Sequence, residues 1–179
     1  MIETQRVAYA SGTTQAQGFL AWDATLQGRR PGIVVFPEAF GLNDHARERV
    51  ERLAQSGYIA LAADLNGGGV VYDDLAKLSP VIGALYADRS QWRARARAAF
   101  DTLTIQPNVD SGRIAAIGFC FGGTSAIELA RTGAAVAVVA TFHAGLVPAL
   151  PEDTGRIRGK VLVCHGAEDP LAKPDVIDT

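Results

Sequence analysis

The sequence predicts a single α/β domain with a mostly parallel sheet and helices on both faces. Three observations predict it. Short apolar runs of strand length alternate with amphipathic stretches of helical length, which is the pattern of a layered α/β sheet. With 179 residues, 48% of them hydrophobic and 20% charged, the chain can bury one sizeable core but not two. It also lacks internal repeats and low-complexity linkers.

The elements follow in order. Residues 6–10 and 17–22 are two short strands joined through SGTTQA, an opening antiparallel hairpin. GIVVF at 32–36 is a buried strand ending at Pro37-Glu38. A helix is expected over 42–56, with Asn43 or Asp44 as N-cap and Gly57 as the stop, because Val50, Leu53 and Ala54 recur at helical spacing. Residues 58–63 form the next strand, followed by the flexible Asn66-Gly67-Gly68-Gly69 loop. Helices are expected over 73–86 and 90–103, the second with Arg93, Arg95 and Arg97 on a polar face, then a turn over 106–112. RIAAI at 113–117 is a strand, 122–131 a helix, and 134–142 and 160–165 complete a count of seven strands.

The bulk numbers exclude several function classes. A net charge of −2 gives no basic footprint for nucleic acid or an anionic membrane surface. No apolar run approaches the roughly 18 residues of a membrane span, and MIETQRVAYASG lacks the basic and apolar regions of a signal peptide. A cytoplasmic protein with reduced thiols is expected, so Cys120 and Cys164 are read as unpaired. The three histidines are scattered, and neither metal nor organic cofactor is implied.

The chemistry concentrates in Gly118-Phe119-Cys120-Phe121-Gly122-Gly123, between an apolar strand and a helix of small residues. This is the G-x-nucleophile-x-G elbow with Cys in place of Ser. Glycines flank the nucleophile because the turn is too tight for side chains there. Cys120 is thereby held at the sheet's C-terminal edge and at a helix N-terminus, whose dipole favours a thiolate. The backbone N–H groups of Phe121 and of Ala39, in the turn after the GIVVF strand, are the expected oxyanion hole. An ordinary glycine-rich turn around a buried cysteine would carry the same letters.

FPEAFGLNDHARERVERLAQSGYIALAADL, then IGFCFGG, then HGAEDPLAKP, in that order and spacing, resemble the dienelactone hydrolase family of the α/β-hydrolase superfamily. The resemblance implies a Cys–His–Asp triad acting on an ester or lactone. It makes Cys120 the nucleophile, Asp169 the triad acid and Glu38 the carboxylate that contacts the resting thiol and exchanges a proton with it. It sets the triad histidine after one further strand, beyond Thr179, so the domain over 1–179 is expected to be incomplete at its C-terminus, without the last strand and helix. His143, after the 134–142 strand, is the best internal substitute and a possible substrate contact. Arg89 is a weaker match to a substrate-carboxylate arginine. His45 is expected to be solvated, His165 to donate to backbone, and Cys164 to be core. The partner is a small ester or lactone. Two other readings stay open: a non-catalytic remnant that binds a ligand or protein, and a redox thiol centred on Cys120.

Overall fold

The structure is a computed structural model, and it describes residues 1–170. Residues 171–174 of the HGAEDPLAKP block lie outside the described residues. Seven strands are found among those described: β1 (Ile2–Ser11), β2 (Thr14–Asp23), β3 (Arg30–Phe36), β4 (Ile59–Ala62), β5 (Val109–Phe119), β6 (Val138–Phe142) and β7 (Lys160–Cys164). They form one sheet in the order β1-β2-β4-β3-β5-β6-β7. The β1–β2 and β2–β4 pairs are antiparallel and all later pairs parallel. The helices are α1 (Asp44–Gln55), α2 (Leu75–Ala87), α3 (Arg89–Thr104) and α4 (Phe121–Arg131).

Alternation along the strands sorts the core into two layers. Ile33 and Val35 of β3, with Ala60 and Ala62 of β4, pack under Ala46, Val50 and Ala54 of α1. Val34, Phe36 and Leu61 point the other way, into a larger cluster with Trp92, Phe100 and Leu103 of α3 and Leu129 of α4. The cap of α1 is Asn43, whose side chain accepts from the Ala46 N–H at 3.0 Å, and Asp88 caps α3 through the Gln91 N–H.

Four expectations need correction. The hairpin strands are ten residues each, paired without interruption from Ile2↔Asp23 to Ser11↔Thr14. The polar TQAQG stretch at 14–18 is strand because it alternates: Ala16 and Gly18 are buried while Gln15 and Gln17 are exposed. Gly12, at φ 58°, opens the two-residue turn. The turn region before RIAAI joins β5, with a register shift that pairs Pro31 with Asp110 but Gly32 with Ile114. The apolar run at 134–142 is strand only from Val138; Ala134 and Val136 are buried ahead of it. Finally, β7 is not core. Val161, Leu162 and Val163 are exposed and Cys164 is half-buried, because β7 pairs only with β6 and no described helix covers it.

Candidate active site

The site begins where β5 ends. Cys120 has φ 53° and ψ −122° as the N-cap of α4, a backbone state that costs a non-glycine residue of order 1–3 kcal/mol. Three glycines make the turn sterically possible. A Cβ on Gly118 would lie 2.0 Å from the Gly122 carbonyl oxygen, one on Gly122 2.1 Å from the Phe36 carbonyl oxygen, and one on Gly123 2.7 Å from the Ala144 Cβ. The Cys120 N–H donates to the Phe142 carbonyl at 2.9 Å, and its own carbonyl accepts from Gly123 N–H at 2.9 Å. The elbow is thus stitched to β6 on one side and to α4 on the other.

Burial and nearby charge oppose the helix dipole at Cys120. Burial, the largest influence, pushes the Cys120 thiol above its ordinary value. The Phe121 N–H, hydrogen-bonded to the sulfur, pulls it down, and the charges of Glu38 and Asp169 raise it further. One favourable N–H does not offset desolvation and two nearby carboxylates, so the resting form is the thiol. Neither cysteine is in a disulfide.

Glu38 follows β3 and is fastened from α1, where Arg49 Nη1 donates to its Oε1 at 2.8 Å. Its Oε2 is buried and without a hydrogen bond among the described residues. The Arg49 guanidinium also lies 3.6 Å from the centroid of the Phe119 ring, a cation–π contact next to the nucleophile. His45, though exposed, is not merely solvated: its Nε2 is 2.6 Å from Arg49 Nη2. Sequence reasoning missed Arg49. The signal available was its place three residues after Ala46, flanking the buried stripe of α1. Ala39 sits in the turn above β3 and its carbonyl accepts from Asn66 Nδ2 at 3.1 Å.

Asp169 reaches the site from the loop after β7, where its N–H closes a turn onto the Gly166 carbonyl. Its Oδ2 is 2.5 Å from His143 Nδ1 and 3.2 Å from His165 Nδ1. His165 was expected to donate to backbone; the carboxylate takes that role because the turn returns Asp169 onto the ring four residues earlier. The other ring nitrogen of His165, Nε2, is buried with no partner among the described residues. His143 has φ 56°, and its N–H donates to the Cys164 carbonyl at 3.0 Å.

Tyr86, at the end of α2, was also missed, and no motif marks it. Its ring meets Trp92 and Phe121 edge-on. Burial raises its hydroxyl, the Thr124 hydroxyl lowers it and the Cys120 charge raises it. Arg89 lies nearby with Nη2 donating to the Pro148 carbonyl at 2.9 Å.

The segment over 143–153 is held down on α4. Thr124 Oγ1 donates to the Gly145 carbonyl at 2.7 Å and Arg131 Nη1 to the Val147 carbonyl at 2.9 Å. Beneath it, fully buried Glu128 accepts from Arg93 and Arg131, both at 2.6 Å, and Arg93 bridges to Asp153 at 2.8 Å. Among the described residues no His, Cys, Asp and Glu group is placed to hold a metal, and no helix is long and apolar enough to cross a membrane.

Comparison with known proteins agrees with the fold. The model of the dienelactone hydrolase family matches residues 17–179. A carboxymethylenebutenolidase from a Pseudomonas species is 32% identical over 126 residues, covering 66% of this chain and 52% of that protein. Among solved structures, m3DLH is 61% identical with a TM-score of 0.96, and a dienelactone hydrolase-like promiscuous phosphotriesterase from metagenomic libraries is 53% identical with a TM-score of 0.96. Each alignment covers 99% of this chain and 74% of the other.

Proposed function

The chain belongs to the dienelactone hydrolase family and is a hydrolase of α/β-hydrolase fold, and from that premise we propose that it cleaves a carboxylic ester or lactone with Cys120 as nucleophile. The observation that carries this reading is the strained Cys120 at the end of β5, at the N-terminus of α4; the charges of Glu38 and Asp169 are felt at its thiol. A protonated thiol needs a base, and Glu38 supplies one: substrate entry that turns Glu38 toward the sulfur transfers the proton and leaves a thiolate. The sulfur attacks the carbonyl carbon, and the Phe121 and Ala39 N–H groups hold the oxyanion. Collapse expels the alkoxide, which takes up the proton, and leaves a thioester on Cys120. Asp169 is the acid that orients the imidazole of the triad.

The test is leaving-group release from an activated aryl ester, followed together with intact protein mass. One acyl group per chain, mapping to Cys120 and absent in Cys120→Ala, is the expected result. Loss of Cys120 should lower any sustained turnover by on the order of 10³-fold or more. No release and no adduct would sink the hydrolase reading and favour a ligand-binding remnant. An aryl phosphotriester is the second substrate to assay, because the relative at 53% identity is a phosphotriesterase.

A further inference from the structure

We propose that His143, oriented by Asp169 at the register position beside Cys120, is a general base for hydrolysis of the acyl-enzyme. The inference rests on Cys120 being the nucleophile. Phe119 of β5 pairs with Phe142 of β6, and Cys120 and His143 are the residues that directly follow those two strands. Adjacent strands run about 4.8 Å apart, and the Cys120 N–H···Phe142 carbonyl bond holds the two chain ends together beyond the pair. Both residues are left-handed, at φ 53° and 56°, although neither is glycine. Such strain persists where surrounding contacts enforce it and clusters at functional sites.

The hydrogen bonding defines the imidazole. Asp169 Oδ2, 2.5 Å away, accepts, so in the neutral imidazole Nδ1 carries the hydrogen and Nε2 keeps its lone pair. That is the tautomer a general base requires. His165 touches the same oxygen at 3.2 Å, but its side chain is 9% exposed and its Nε2 is buried. The His143 side chain is 55% exposed, so water can reach it. Exposure separates the base from the positioning residue: His165 braces the carboxylate, and His143 uses it.

In the step proposed, His143 Nε2 takes a proton from water as the water oxygen bonds to the thioester carbonyl carbon. The tetrahedral intermediate collapses with cleavage of the C–S bond. The departing Cys120 sulfur receives the proton from the imidazolium, and the carboxylic acid is released. Asp169 balances the imidazolium charge throughout, and no oxidant, metal or cofactor enters.

The experiment is stopped-flow p-nitrophenyl acetate hydrolysis by the chain and by His143→Ala, with adduct mass followed in time and circular dichroism as the folding control. His143→Ala should still give a burst of one acetyl group on Cys120. Its adduct should then decay about 100-fold more slowly, within the range general-base catalysis contributes, and added imidazole should restore the decay. A wild-type adduct that never turns over would overturn the inference while leaving Cys120 as nucleophile. So would a variant that deacylates at the wild-type rate, or a folded variant whose defect imidazole does not relieve. Absence of any wild-type adduct removes the nucleophile reading itself, and the inference with it.

Discussion

β3 and β7 are similar in sequence and opposite in circumstance. RPGIVVF and KVLVC are both short, apolar, β-branched runs in parallel register. β3 lies between β4 and β5, under α1 on one face and against α3 on the other, and its Val34, Val35 and Phe36 are fully buried. β7 is one of the two edge strands described, and its Val161, Leu162 and Val163 are about half exposed. Apolar β-branched sequence is enough to make a strand, but burial is conferred by neighbours. The proposed site straddles the boundary. Its nucleophile grows from the packed half and its acid from the bare half.

The contrast can be broken hardest at the elbow. Gly118→Ala puts a methyl group 2.0 Å from a carbonyl oxygen in backbone braced by the packed half, so nothing can yield cheaply. We expect a loss of about 3 kcal/mol or more, read from urea denaturation, together with loss of Cys120 acylation. A variant as stable and reactive as wild type would mean that the elbow is soft. Next comes a matched pair of leucines. Leu61→Ala, in fully buried β4, should cost about 2–5 kcal/mol, whereas Leu162→Ala, 54% exposed on β7, should stay within about 0.5 kcal/mol. Similar values by urea denaturation would mean that β7 is as well covered in solution as β4.

The smallest effect sharpens the electrostatic side. Glu38 raises the Cys120 thiol through its charge, so the neutral Glu38→Gln must lower it. In a Cys164→Ser background, the pH profile of iodoacetamide alkylation should move to lower pH, with faster alkylation at neutral pH. An unmoved or upward-moved profile would remove Glu38 from the thiol's surroundings.

What could be read from the sequence follows the same boundary. The elbow was legible because its cause is local: glycines 118, 122 and 123 and the strand and helix around them lie within one short segment. The capping Asn43 and the stripe of α1 were legible for the same reason. The hairpin was underestimated because glutamines among alanine and glycine look like loop until the pairing partner is known. The Asp169–His143 contact spans 26 residues and the Arg93–Glu128 pair 35, and no periodicity reports a meeting of that kind. The helix N-terminus at Cys120 is visible in sequence, while the desolvation and the charges of Glu38 and Asp169 that oppose its pull on the thiol emerge only on folding.

The fastening of residues 143–153 has a mechanical consequence. Hydrogen bonds from Thr124 and Arg131, and the buried Glu128–Arg93–Asp153 chain, clamp that segment to α4. The first residue of α4 follows Cys120 directly. These contacts couple the nucleophile, its helix and the His143 loop to one another. The Glu38–Arg49 side and the turn that carries Asp169 are fastened separately from that unit.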